Sequence, residues 1–187
     1  MKYITTEIEG VYIIEPKVFE DSRGYFMETY REEDFNNGTN TKTVFVQDNE
    51  SQSSYGVLRG LHYQKSEYSQ AKLVRVIQGK VADVAVDLRK DSKTFGKYVM
   101  AELSEDNKRQ LFIPRGFAHG FVVLSEKAKF TYKVDNVYMP SAEASIRYDD
   151  PDINIEWPIN KEDMILSDKD MNAVAFKDAE KFSTPNF

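Results

Sequence analysis

One of only two histidines in the chain, His62, stands in Gly56-Val57-Leu58-Arg59-Gly60-Leu61-His62-Tyr63-Gln64, between an arginine and a glutamine. An imidazole in such a run can act as a general base, a metal ligand or a hydrogen-bonded core residue. Simple strand alternation puts Leu58, Gly60, His62 and Gln64 on one face and Arg59, Leu61 and Tyr63 on the other. The glycines at 56 and 60 permit turns or close approach that side chains resist. The second histidine, His119, closes Pro114-Arg115-Gly116-Phe117-Ala118-His119. With no cysteine, disulfides, thiolate catalysis and Cys-bound zinc or iron–sulfur clusters are excluded.

The elements that carry these residues are strand-like. The 187 residues suit one domain, residues 1–187, with enough chain for a real core. Tyr and Phe together number 23 and recurring runs of Val, Ile and Thr accompany them, which favours strands over helices. Strands are expected over residues 11–18, 25–30, 44–49, 73–77, 81–88, 98–103, 110–113, 117–124 and 129–138. Asp21-Ser22-Arg23-Gly24 and Gln78-Gly79-Lys80 read as turns between them. Residues 31–35 suggest a helical turn ended by Asn36-Asn37-Gly38, and residues 51–54 a serine-rich loop. About nine strands, with turn signals every 8–12 residues or so, form the pattern of an all-β sandwich or barrel. From Pro140 onward the character changes to a covering segment, with a short helix expected near residues 178–182.

The net charge of −6 argues against a general nucleic-acid or anionic-membrane binder, though a local basic pocket for a phosphorylated small molecule is compatible with it. The acidic first twenty residues and their short apolar run do not read as a signal peptide or a membrane span, so a cytoplasmic protein is expected.

Two stretches resemble the motifs of the cupin superfamily, built on a jelly-roll β-sandwich or barrel. Gly56, five residues, His62, Tyr63 and Gln64 follow the first motif, G-x5-H-x-H, with glutamine in place of the second histidine. Residues 114–119 fit P-x-G-x-x-H of the second. Metal cupins hold iron, manganese or a similar ion with three or four His or carboxylate ligands. Here an amide replaces one ligand, and Lys72 lies where an acidic ligand belongs. A fixed ammonium would repel a divalent cation but can stabilise a developing oxyanion. The expectation is a site without metal or cofactor.

A closer resemblance spans nearly the whole chain. Residues 21–30 (DSRGYFMETY), 47–51 (QDNES), 58–64 (LRGLHYQ), 72–76 (KLVRV), 83–89 (DVAVDLR), 113–121 (IPRGFAHGF) and 167–170 (SDKD) together resemble the dTDP-4-dehydrorhamnose 3,5-epimerase family. The resemblance implies a cofactor-independent isomerase, typically homodimeric, acting on dTDP-4-dehydro-6-deoxy-D-glucose. A ketone at sugar carbon 4 acidifies the hydrogens on carbons 3 and 5, because either carbanion delocalises into an enolate. Inverting such a centre requires a base, an oxyanion stabiliser and an acid on the opposite face. By resemblance these are His62 oriented by Asp170, Lys72, and Tyr132. Alternation places Tyr132 on the apolar, inward face with Ala128, Phe130 and Val134.

Substrate-binding positions implied in the same way are Arg23, Phe26, Glu28, Gln47, Asn49, Arg59, His119, Tyr138, Glu143 and Lys169. Guanidinium forks at Arg23 and Arg59 suit a diphosphate. Gln47, Asn49 and Glu28 can read sugar hydroxyls or the thymine edge, and Tyr138 can stack on the base. Since alternation sets Arg59 opposite His62, a bend or bulge at Gly60 is required for both to reach one site. Arg23, Phe26 and Glu28 lie in the first hairpin, which the resemblance allows the neighbouring subunit to contribute. Structural alternatives stand beside these roles: a turn arginine at 23, a solvated Glu28, a surface Lys72, a satisfied core His119, and Asp83 as a second histidine partner. Competing functions are an epimerase acting at one carbon of a related dTDP-4-keto-6-deoxy sugar, a metal-dependent cupin, and a nucleotide-sugar binding module without turnover.

Overall fold

A computed structural model describes residues 1–183 of the protein. In chain order the strands are β1 (Lys2–Thr5), β2 (Tyr12–Glu15), β3 (Val18–Asp21), β4 (Gly24–Met27), β5 (Gln47–Ser54), β6 (Leu58–Gln64) and β7 (Lys72–Gln78). They continue as β8 (Lys80–Asp87), β9 (Tyr98–Ser104), β10 (Gln110–Ile113), β11 (Phe117–Val123), β12 (Lys127–Val134) and β13 (Glu143–Ser145). Two α-helices join them, α1 (Glu32–Thr39) and α2 (Asp168–Met171).

Two antiparallel sheets make the body, with orders β1-β2-β10-β7-β12-β5 and β13-β6-β11-β8-β9, while β3 and β4 form a separate hairpin. Their inner faces share a core of Val74, Val76, Leu111, Ile113 and Phe130 from the first sheet and Val81, Ala85, Leu103, Phe117 and Phe121 from the second. This is the expected jelly roll of the cupin type. Strand β8 is buried almost throughout, so its apolar residues do not alternate with polar ones. The reason is the chain beyond Pro140, which covers the second sheet's outer face. Ile146, Ile153, Ala179 and Phe182 pack there on Leu61, Tyr63, Val84 and Val86. Trp157, Met164 and Leu166 pack on Leu58, Ala82 and Val122.

Several local expectations are corrected. Residues 11–18 break into two strands, because Pro16 has no N–H to continue a ladder. Residues 51–54 are the end of β5, paired with β12 from Ser54↔Lys127 to Gln47↔Val134. Asn36-Asn37-Gly38 does not end α1: Phe35 is buried against Phe112, and Asn36 bonds Thr43 through both ends of its amide. The helix stops at Asn40, whose φ of 53° is left-handed. Near residues 178–182 there is only a 3-10 turn over Phe176–Asp178; the second α-helix is α2. Strand β12 ends at Val134 rather than at 138. Among the described residues no helix is long and apolar enough to cross a membrane.

Candidate active site

The site is built around an irregularity in β6. His62 stands opposite His119 of β11 and Arg59 opposite Phe121, so three steps along β6 match two along β11. The extra residue is a bulge at Gly60, which returns Arg59 to the face of His62. Gly60 has φ 134°, and a Cβ there would lie 2.5 Å from the Gly120 Cα, so no other residue fits without displacing β11. The bend required by the sequence is present. Arg59 donates from Nε to Ser53 Oγ of β5 at 3.0 Å, which ties the two sheets across the cavity.

The chain then returns to supply an acid. Residues 163–165 run beside the start of β6, with Leu58 N bonded to Ile165 O and Ile165 N to Gly56 O. Gly56 allows this approach, since a Cβ on it would meet the Asp163 carbonyl oxygen at 2.1 Å. Next, Ser167 caps α2, accepting from Asp170 N, and Asp170 reaches His62 Nε2 at 2.5 Å. Asp170 Oδ2 accepts a 2.7 Å bond from Ser167 Oγ. Burial raises the Asp170 carboxyl, but the bonds from His62, Ser167 and Gly60 N–H outweigh it, and it titrates below the usual aspartate range. The imidazole donates Nε2–H to this carboxylate and keeps its Nδ1 lone pair. The Asp170 side chain is 4% exposed and that of His62 31%, so the imidazole is open while its partner is sealed.

Across from this dyad, β7 and β12 are paired, and their inward positions carry Lys72 and Tyr132 among Val74, Val76 and Phe130. Burial brings the Lys72 ammonium down to about 8, with Asp83 and Glu143 opposing that fall and Lys169 adding to it. Burial raises the Tyr132 phenol, Arg59 lowers it and Glu143 raises it again. Gln47 and Asn49 share the inward face of β5, and Gln47 Nε2 donates to Asn49 Oδ1 at 2.8 Å. At the rim Glu143 accepts from Tyr138 Oη at 3.0 Å and pairs with Lys169. Burial pushes the Glu143 carboxyl up, but Lys169 and Tyr138 hold it below its ordinary range.

His119 is buried beneath the cavity, with Nε2 at 3.0 and 3.1 Å from the two oxygens of Asp83. It is thus a satisfied, carboxylate-bound histidine one strand away from His62. Gln64, which occupies a cupin ligand position, is committed elsewhere. Its Nε2 donates to Tyr68 O and Val137 O, and its Oε1 accepts from Met139 N at 2.6 Å, fixing the loop that presents Tyr138. Among the described residues no three His, Cys, Asp or Glu side chains converge as a cation site.

Arg23, Phe26 and Glu28 are not gathered with the rest. Arg23 pairs with Asp21 at the tip of the β3–β4 hairpin, its side chain 87% exposed, Phe26 is 70% exposed, and Glu28 faces Arg31. Two residues escaped the sequence reading, Ser53 and Ser167. Ser167 carries a signal that could have found it: a serine three residues before Asp170, the spacing of an N-cap.

Fold and cavity define a cupin-type enzyme whose ionisable groups are set out for proton transfer. The model of the family described as dTDP-4-dehydrorhamnose 3,5-epimerase matches residues 5–178. A Shigella flexneri protein of that description is 55% identical over 97% of this chain and 99% of its own. The crystal structure of dTDP-4-dehydrorhamnose 3,5-epimerase from Elizabethkingia anophelis superposes with a TM-score of 0.92 at 56% identity, covering 100% of this chain and 99% of that one. The Legionella pneumophila dTDP-6-deoxy-D-glucose-3,5-epimerase, in complex with dTDP-4-keto-L-rhamnose, gives 0.92 at 47% identity over 96% and 94% of the two chains. The chain belongs to the dTDP-4-dehydrorhamnose 3,5-epimerase family and is an isomerase.

Proposed function

We propose that the protein inverts carbons 3 and 5 of dTDP-4-dehydro-6-deoxy-D-glucose, giving dTDP-4-dehydro-L-rhamnose without metal or cofactor. The observation that carries this reading is the 2.5 Å contact between a half-open His62 and a sealed Asp170. His62 takes a proton from carbon 3 or 5 onto Nδ1, and the C–H electron pair moves into the adjacent carbonyl to form an enolate. Asp170 stabilises the imidazolium through Nε2–H. Lys72 stabilises the enolate oxygen as an ammonium, which a titration point near 8 keeps charged at neutral pH. Tyr132 returns a proton to the opposite face of the carbon, and solvent restores both side chains. The donor set supports chemistry without a metal, since Gln64 is committed to backbone and the Lys72 ammonium stands where an acidic ligand belongs.

Arg59, Gln47, Asn49, His119, Glu143, Lys169 and Tyr138 bind the nucleotide sugar in this reading. Arg23, Phe26 and Glu28 complete the site from the hairpin of a second subunit, making the protein a homodimer. The support is that these three stand on a hairpin whose Phe19, Tyr25 and Phe26 are exposed, away from their own cavity. Turnover of the 4-keto-6-deoxy sugar in deuterium oxide, with NMR of the product, tests the reaction. Deuterium with inversion at both carbons is expected; inversion at one carbon alone would make the enzyme a single-carbon epimerase. A requirement for added iron or manganese would overturn the metal-free mechanism.

A further inference from the structure

A second imidazole–carboxylate pair lies next to the first. His119 is the direct cross-strand neighbour of His62, and its Nε2 contacts both oxygens of Asp83. Unlike Asp170, Asp83 has no part in the mechanism above. It is fully buried on the inner face of β8, between the core residues Val81 and Ala85. A carboxyl in that position is costly unless charges or hydrogen bonds compensate it.

The groups facing this cluster come from five elements: Lys72 from β7, His119 from β11, His62 from β6, Glu143 from β13 and Lys169 from α2. Glu143 and Lys169 pair with each other at the rim. With His62 held by Asp170, what remains below is one ammonium, one carboxyl and one imidazole. Their buried charges cancel when Lys72 is protonated, Asp83 ionised and His119 neutral. In that state Asp83 accepts Nε2–H from His119, whose Nδ1 is left as an acceptor.

We propose that Asp83 is a positioning residue for the enolate-stabilising end of the site, holding Lys72 as an ammonium and His119 as the Nε2–H tautomer. The proposal rests on the reading of Lys72 as the cation that meets the enolate oxygen. Burial lowers Lys72 and His119, and Asp83 leads the charges that hold Lys72 up. Without that carboxylate Lys72 loses its proton at lower pH, and the alkaline decline in rate moves down with it.

The test is the pH profile of kcat/KM for Asp83→Asn and Asp83→Glu beside the parent. With Lys72 lowered from about 8 by one pH unit, Asp83→Asn loses about fivefold more at pH 8 than at pH 6. Asp83→Glu, which keeps the charge, recovers the alkaline range. A profile for Asp83→Asn parallel to the parent's overturns the proposal. Should Asp83→Asn fail to fold, the imidazole 15N spectrum of the parent decides, since the chain has two histidines and His119→Asn identifies one ring. An Nε2–H tautomer at His119 is expected, and Nδ1–H there contradicts the proposal. Lys72→Met separates the two readings. If it retains the parental rate, the role of Lys72 fails; if it is inactive while Asp83→Asn is parallel to the parent, only the role of Asp83 fails.

Discussion

Arg59 and His62, three residues apart on β6, face Phe121 and His119, two apart on β11, and so point into the same cavity. A guanidinium and an imidazole thereby share one strand and one cavity, at the cost of a position only glycine can fill.

Gly60→Ala therefore tests the scaffold. The added methyl meets the Gly120 Cα and the His119 carbonyl. Overpacking of this kind costs roughly 1–3 kcal/mol. Denaturant unfolding is expected to show that loss together with a fall in turnover. Parental stability and rate would mean that the bulge does not position the site.

Asp170→Asn removes the carboxylate that holds His62 Nε2–H while keeping the shape. By analogy with other His–Asp pairs, kcat falls on the order of 10³-fold or more, with a smaller change in KM. Steady-state kinetics on the 4-keto sugar measure both.

Tyr132→Phe separates proton removal from inversion. His62 still takes a proton and can return deuterium to the same face, so exchange into recovered substrate persists. Epimerised product falls by about 10²–10⁴-fold. Equal loss of both would place Tyr132 in the abstraction step instead.

Sharing of the hairpin predicts subunit complementation. Arg23→Ala and His62→Ala are each impaired at low substrate, but refolded together they regain about a quarter of the parental rate, because half the dimers are mixed and each mixed dimer has one complete site. Sedimentation is expected to show a dimer; a monomer with full activity contradicts the arrangement.

The covering segment contributes an acid-sensitive contact. The Arg147 hydrogen bond, aided by Lys161, holds Asp149 down at about 2. Its folded value is depressed, so its contribution is present above the ordinary carboxylate range and lost as pH falls toward 2. After screening, that contribution is on the order of 1 kcal/mol. Asp149→Asn lowers stability at neutral pH by that amount and flattens the decline between pH 5 and 2, as acid titration of the unfolding midpoint would show.

Much of the architecture was legible in the chain. Apolar strand runs and turn residues marked most strands, His62, Lys72 and Asp170 stood in recognisable motifs, and alternation set Tyr132 on the inward face of its strand. β5 was only half visible because its inward residues Asn49, Ser51 and Ser53 line a polar cavity, so no apolar alternation announces the strand. The commitment of Gln64 to Val137 and Met139 depends on a loop more than seventy residues away, which no local pattern encodes. Composition also concealed α1, where burial of Phe35 and the bonds of Asn36 override a sequence that reads as a helix stop.

The central claim is that His62 abstracts the proton. Its most direct measurement is solvent deuterium entering carbons 3 and 5 of the dTDP-4-keto-6-deoxy sugar, followed by NMR with folded His62→Ala. The account predicts that exchange at both carbons collapses while the variant still binds the nucleotide sugar. Exchange at the parental rate at either carbon would contradict it.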